Sequence, residues 1–444
     1  MVIDFGTCTS SAAVVVDDES WLVPEPVSGS YSWPSAVFWD GQQLLVGTLA
    51  ERKKRAEPTA YWAEFKRGLG QDAPMLLGPR RFRPIEQVVA VLSALRTEAQ
   101  RRHGGLIERA VLTVPASYAP GTPAGGDARR ARMVAAAEAA GFTAVELLPE
   151  PVAAAFAPMA GPAAVPGQLV LVYDLGGGTF DTALVRIGDF THEVLGHAAI
   201  DDCGGSDVDG LLAGRIRRTG EPWLTPLLST VAGEPGSLRL GMAISDFAQR
   251  VKHQLSDVAV VEDFLMPNTP TYRMGRPEFA GIVAPLLGNT VTCCLDLLGR
   301  LGVQIRDVSA VLLVGGSSRM PVVAELLDRM LGLPLRRVDD PELAVVRGAA
   351  RWLPRSGSRT ITAQAPPVGL VPLSFAIPGG SARLVRWLVG PGEAYPEGSA
   401  LARARLPGGT LWDLTAATAG RLDRVLVGDG SDVAAHEWLA LARP

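Results

Sequence analysis

Two apolar strands joined by a run of glycines dominate the hydrophobic pattern of this chain. Residues 170–185, VLVYDLGGGTFDTALV, rise through an apolar strand to Asp174, turn through Gly176, Gly177 and Gly178, and re-enter a second strand after Thr179. A shortened copy opens the sequence as Val2-Ile3-Asp4-Phe5-Gly6-Thr7, followed by Ser10, Ser11 and the apolar strand from Ala12 to Val16. Between and beyond the copies, helical and strand periods alternate. Residues 85–102 place Val88, Val89, Leu92 and Leu95 on one helical face, which Gly104-Gly105 ends. The strand Ala110 to Val114 stops at Pro115, and a helix with Asp127 as N-cap carries Met133, Val134 and Ala137 to Gly141. Glu146 to Pro149 is extended, and Glu150-Pro151 opens a short Ala-rich helix from Val152 to Ala157. The spacing predicts a further helix over about 208–217, an apolar strand Ala310 to Val314 running into Gly315-Gly316, and a helix to about Leu353 capped by Asp340-Pro341-Glu342. The alternation predicts an α/β fold.

The glycine hairpins carry the candidate chemistry. Without side chains at Gly176, Gly177 and Gly178, backbone N–H groups can approach and donate to anionic oxygens, while Asp174 and Asp181 can hold a hydrated divalent cation beside them. Two copies suggest an internal duplication in which Asp4 and Asp174 face each other across a cleft, with Thr7 and Thr179 donating hydroxyls to a phosphate chain. The loop Cys203-Gly204-Gly205-Ser206-Asp207, leading into a helix, presents further N–H groups. Gly315-Gly316 has the form of a backbone approached closely by a ligand.

Composition narrows the function classes. A chain of 444 residues with 47% hydrophobic content supports roughly three domains with substantial cores. A net charge of −4 makes no electrostatic case for nucleic acid, and Arg129-Arg130-Ala131-Arg132 reads as a solvated helix face. No apolar run of about twenty residues and no basic leader are evident, so a cytoplasmic protein without a membrane span is expected. The four cysteines, Cys8, Cys203, Cys293 and Cys294, show no metal-ligand spacing and suit a reducing compartment. Lysine is confined to Lys53, Lys54, Lys66 and Lys252. On pattern alone Lys66 and Lys252 read as surface lysines.

The set Asp4-Phe5-Gly6-Thr7, Val114-Pro115-Ala116, Leu148 to Ala155, Tyr173 to Asp181, Gly204-Gly205 and Val314 to Pro321 resembles, in order and spacing, the nucleotide-binding domain of the heat-shock protein 70 (DnaK-type chaperone) family across residues 1–353. The resemblance implies an actin-like ATPase fold of two duplicated α/β lobes around an ATP cleft. It implies slow hydrolysis of ATP with Mg²⁺, and it assigns Thr7, Cys8, Gly177, Gly178 and Thr179 to the phosphates, with Gly6 and Gly176 in the same nucleotide-binding turns. Asp4 and Asp174 would hold Mg²⁺ through water, Lys66 matches the family's catalytic lysine, and Glu150 and Asp181 match its remaining acidic positions. Gln249, Lys252, Gly315, Gly316, Ser317, Arg319 and Glu342 fall on the nucleoside side, with Gln249 and Glu342 replacing the usual glutamate and aspartate, and Gly204, Gly205 and His253 are further nucleotide-binding positions. Pro115 and Glu150-Pro151 match the hinge that senses nucleotide state.

The expected organisation is a first lobe over 1–168, a second over 169–353, a linker over 354–366 without the family's leucine-rich coupling sequence, and a β-rich partner-binding domain over 367–444. In that last region Leu370 to Ile377, Leu384 to Val389, Ala400 to Leu406 and Thr410 to Thr415 read as strands. Val433 to Ala442 reads as a terminal helix with no length left for a helical lid, and Trp387, Trp412 or Trp438 could line a peptide groove. Glu146 stands where the family commonly has an arginine that docks J-domain co-chaperones, so generic J-domain docking is expected to suffer. Three functions fit: an ATP-hydrolysing chaperone-like switch that binds a polypeptide client or a dedicated protein partner, an actin-like ATP-binding scaffold, and a sugar or metabolite kinase.

Overall fold

Both glycine hairpins form, and each seeds a ladder of the same topology. In the first sheet, Val2–Phe5 pairs antiparallel with Thr9–Val16, which pairs in turn with Glu19–Leu22. On its other side Val2–Phe5 runs parallel to Arg109–Val114, and that strand runs parallel to Ala144–Pro149. In the second sheet, Leu169–Leu175 pairs antiparallel with Phe180–Arg186 and parallel with Val308–Val314, beyond which lies parallel Leu335–Arg337, with Glu193–Ile200 at the opposite edge. This is the duplication expected from the two motifs. The computed structural model in which it is seen describes residues 1–16, 19–71, 73–118, 126–158, 165–188, 192–230, 234–356, 371–378, 381–425, 427–434 and 439–443. The chain divides into two compact units, Met1–His192 with Gly196–Ile361, and Thr362–Pro444 with Glu193–Leu195.

In the larger unit the central strands are apolar on both faces because helices cover both. Val170, Leu171, Val172, Tyr173, Val311 and Leu312 are all buried. Pro84–His103 begins with the Arg83 N–H donating to Glu86 and stops where Gly104 adopts φ +75°, as its sequence pattern predicts. Two short helices that follow the sheets, Glu150–Ala155 and Ala344–Ser356, pack against each other, and Gly348 permits it. A Cβ at Gly348 would lie 1.9 Å from the Ala153 carbonyl oxygen, so only glycine allows this approach.

Several expectations are corrected. The helix expected over about 208–217 is Gly205–Thr230, carried past Gly220 and Pro222 by packing against the helix Glu234–Asp257. Arg129 and Arg132 do not form a solvated face. Arg129 donates to Asp201 at 2.7 Å and Arg132 donates to the carbonyls of Leu69 and Gly70. Lys66 and Lys252 are buried rather than on the surface. Among the described residues one helix, Arg276–Arg300, is long and apolar enough by length and composition to cross a membrane, where no such run was expected. In the fold it packs on Phe180–Arg186 and Pro321–Leu331, with Phe279, Val283, Leu287 and Cys294 buried.

The smaller unit is a β-sandwich. One sheet orders Val371–Leu373, Ala440–Arg443, Gly420–Val425 and Ala394–Tyr395, and the other orders Leu411–Thr415, Ala400–Arg405, Ser381–Trp387 and Asp432–Ala434. Leu384, Leu401, Ala404, Leu422 and Leu439 form the centre of one shared core. The terminal helix expected over 433–442 is absent from the described residues there. Asp432–Ala434 and Ala440–Arg443 are strands, the latter pairing with Gly420–Val425 and with Val371–Leu373, far earlier in the chain. Trp387 is half-buried with its indole N–H on the Val427 carbonyl at 2.9 Å, and Trp412 is 41% exposed. Trp438 and most of the expected linker lie outside the described residues.

Candidate functional site

The two hairpin turns converge on one cavity of about 580 Å³ in the larger unit. Of the residues singled out from the sequence, Asp4, Gly6, Thr7, Cys8, Lys66, Glu150, Asp174, Gly176, Gly177, Gly178, Thr179, Gly205, Gln249, Lys252, His253, Gly315, Gly316, Ser317, Arg319 and Glu342 line it. Asp181 and Gly204 do not. Asp181 lies behind the second hairpin, accepting the Ala116 N–H at 2.7 Å, which ties the Pro115 segment of the first sheet to the second. Gly204 packs beneath Gly177 and Gly178, where a Cβ would come within 2.6 Å of their backbone.

The hairpins touch through side chains that glycine alone admits. A Cβ on Gly177 would meet Cys8 Sγ at 2.5 Å, and one on Gly178 would meet Thr7 Oγ1 at 2.5 Å. The loop after Cys203 is hydrogen-bonded onto the same turn, the Gly205 N–H to Gly176 O at 3.0 Å and the Ser206 N–H to Gly177 O at 2.7 Å. Ser206 also reaches Cys8, oxygen to sulfur 3.1 Å, and burial pushes the Cys8 thiol pKa up. Arg67 closes the assembly by donating to Gly178 O at 3.1 Å and bidentately to Asp207 at 2.8 and 3.1 Å. The result is a small-walled cradle bordered by backbone N–H groups and hydroxyls, the shape and chemistry of a phosphate-chain site.

At its floor sits a buried charge cluster. Lys66 Nζ donates to Glu150 Oε1 at 3.0 Å and to the Phe5 carbonyl, and its side chain is 5% exposed. Burial alone would pull the Lys66 pKa down, but the Glu150 carboxylate, Tyr118 and Asp4 more than offset this and hold it above the usual value. Burial, and then the nearby Glu150, raise Asp4 and Asp181, while Asp174 is raised by burial and by Glu150, Asp181 and Asp4 together. Thr113 Oγ1 donates to Asp4 Oδ1 at 2.7 Å and works against that rise. Four carboxylates thus share one ammonium, a set short of positive charge. A hydrated divalent cation fits this donor set. Among the described residues no group of three or more His, Cys, Asp or Glu side chains could cage a metal directly, so such an ion would be held through water and ligand oxygens.

The opposite end is gentler. Lys252 donates to Asp209 Oδ2 at 2.8 Å and to Gly205 O at 3.1 Å, leaving Asp209 Oδ1 buried without a partner. Burial raises the Asp209 pKa despite Lys252, whereas burial and then the Lys252 ammonium lower that of His253. Ser317 Oγ donates to Gly176 O at 2.8 Å, and Arg319 makes a bidentate pair with Glu342 at the rim. Elsewhere in the larger unit, Lys54 and Arg55 both reach Asp246 at 2.8 Å, and Arg239 donates to the carbonyls of Arg55 and Ala56. Sequence reasoning missed Arg67 and Asp209. Asp209 follows Gly205 by one helical turn, a spacing that could have drawn attention to it; Arg67 carries no such signal beyond adjoining Lys66.

The family described as Hsp70 protein matches residues 74–352. Chaperone protein DnaK of Mycoplasmopsis synoviae (strain 53) is 30% identical over 358 residues, covering 78% of this chain and 57% of that protein. The DnaK proteins of Mesomycoplasma hyopneumoniae (strain 232) and Ureaplasma urealyticum serovar 10 are likewise 30% identical with the same coverage. The chain therefore spans somewhat more than half the length of these relatives.

Proposed function

The chain belongs to the Hsp70 family and has its actin-like α/β fold, and from that premise we propose that it is a slow ATPase whose nucleotide state governs binding of a polypeptide client or a dedicated protein partner. The observation that carries the reading is the buried Lys66–Glu150 pair at the floor of a cradle made by two hairpins.

In this reading the N–H groups of Gly177 and Gly178, with Thr7, Cys8 and Thr179, hold the phosphate chain, and Asp4 and Asp174 hold Mg²⁺ through water. When bound, the ion supplies charge neutralisation on the phosphate oxygens. Lys66 stabilises the charge that develops as the terminal phosphoryl group leaves, at a position where burial strengthens each interaction. Glu150 orients Lys66 and accepts from the attacking water. Asp181, through the Ala116 N–H, relays the state of the second hairpin to the Pro115 segment. Gln249, Lys252 and His253, with Ser317, Arg319 and Glu342, bind the nucleoside. Gly204 supports the cradle from below.

The four cysteines, all unpaired, suit a cytoplasmic protein. The β-sandwich is the partner-binding module, with Trp412 as an exposed anchor. Titration with ATP in the presence and absence of Mg²⁺, followed by phosphate release under single-turnover conditions, tests the proposal. Mg²⁺-dependent binding with slow release supports it; no binding in either condition refutes it.

A further inference from the structure

The side chain assigned to chemistry, Lys66, sits on an unsupported-looking piece of backbone. Phe65–Gly70 is a six-residue 3-10 turn, a conformation with poor hydrogen-bond geometry that leaves its last carbonyls unsatisfied. It starts from Glu64 at φ 58°, a left-handed conformation that costs a non-glycine residue roughly 1 kcal/mol. Left alone, such a turn would relax. A buried ammonium that must meet both the Phe5 carbonyl and Glu150 tolerates little relaxation.

Besides the Arg67 contacts to Gly178 and Asp207 and the packing of Pro84–His103, a further brace comes from the helix Gly126–Ala139, which bears no residue of the cavity wall. The Arg132 guanidinium donates to the carbonyls of Leu69 and Gly70, the two orphaned acceptors at the end of the turn. The two N–H groups of one terminal nitrogen, Nη1, satisfy both, and the guanidinium's positive charge meets the negative end of the turn. One helical turn earlier, Arg129 lies against the same segment: a Cβ on Gly70 would come 3.0 Å from its Nε. Arg129 spans from there to Asp201 at 2.7 Å and stacks over the Tyr118 ring at 5.4 Å, and that ring lies 5.9 Å from Lys66 Nζ.

We propose that Arg132 is a positioning residue for Lys66: by clamping the Leu69 and Gly70 carbonyls it fixes the strained turn that presents the lysine, while Arg129 braces the same turn against Asp201. The inference rests on Lys66 acting upon bound nucleotide, but the clamp itself has a readout independent of turnover. With only Lys53, Lys54, Lys66 and Lys252 in the chain, acylation of each amine by acetic anhydride can be mapped by mass spectrometry.

The test uses the full chain without nucleotide, as wild type, Arg132→Ala and Arg132→Lys, with ATP kinetics on the same preparations. Arg132→Ala is expected to raise the Lys66 acylation rate about tenfold while Lys252 keeps its wild-type rate, with Arg132→Lys in between because the shorter lysine side chain keeps the charge but brings its donors less close to the two carbonyls. On ATP, kcat falls about tenfold or more with KM within about threefold. An unchanged Lys66 rate overturns the proposal whatever turnover does, and so does a rise shared equally by Lys252, which would mark general loosening. If wild type turns over no ATP while Lys66 labelling responds selectively, the clamp stands and the ATPase reading falls.

Discussion

Gly348 lies directly against the Ala153 carbonyl, so close that a Cβ would sit 1.9 Å from the oxygen. This contact joins the helix that begins at Glu150 to the helix that ends the larger unit, and backbone on one side leaves nothing that can yield. Gly348→Ala should therefore destabilise the protein by about 2–4 kcal/mol, at the upper range for overpacking, because the helices must separate to admit one methyl group. Denaturant unfolding measures it. A midpoint equal to that of wild type would mean that the helices slide apart freely.

The raised carboxylates set a pH dependence. Asp4 is lifted from 3.8 to about 7 and Asp181 from 3.8 to about 8, chiefly by burial. In the nucleotide-free protein they keep protons that the unfolded chain has already lost, so the folded state binds more protons and stability falls as pH rises. Their contribution is fully present below 3.8 and is lost as pH rises through about 7 and 8. The melting temperature without nucleotide should decline from pH 5.5 to 8.5, and Asp4→Asn with Asp181→Asn should flatten the slope. A rising melting temperature over that interval, unaltered by the double variant, would contradict the account of the cluster.

Glu146 lies half-buried on the strand Ala144–Pro149, opposite Val111. The resemblance implies that it stands where an arginine docks J-domain co-chaperones; on that reading an unmodified J-domain protein should stimulate turnover weakly, and Glu146→Arg should gain stimulation of about fivefold or more. Strong stimulation of the wild type would remove the argument from charge reversal.

The two compact units predict separable functions. Removal of 367–444 should leave ATP affinity within about threefold of the intact chain while abolishing nucleotide-dependent recovery of a protein partner. Recovery of the same partner by the truncated chain would place recognition elsewhere.

Where the sequence was readable, local pattern and structure coincided. The glycine hairpins, the helix closed by Gly104 and the Gly315-Gly316 turn all carry their determinants within a few residues, and they located the cavity. The failures have a common cause in distant partners. Thr219-Gly220-Glu221-Pro222 looks like a helix stop, yet packing against the helix Glu234–Asp257 carries the helix through it. Leu439 to Ala442 has small and large apolar residues in a pattern compatible with either element, and pairing with Val371–Leu373 and Gly420–Val425 decides for strand. Arg129 and Arg132 look like solvent-facing charges on their own helix, because their acceptors at Leu69, Gly70 and Asp201 lie some 60 or more residues away. Buried lysine is likewise invisible from local pattern, since only the fold brings Glu150 to Lys66.

The central claim is that Lys66, held by Glu150, stabilises charge on the phosphoryl group in flight rather than anchoring ATP. Parallel measurement of ATP affinity and of single-turnover phosphate release in wild type and Lys66→Ala tests it most directly. The account predicts an affinity within about threefold and a release rate reduced about a hundredfold or more. Undiminished release, or an equal loss of affinity and rate, would contradict it.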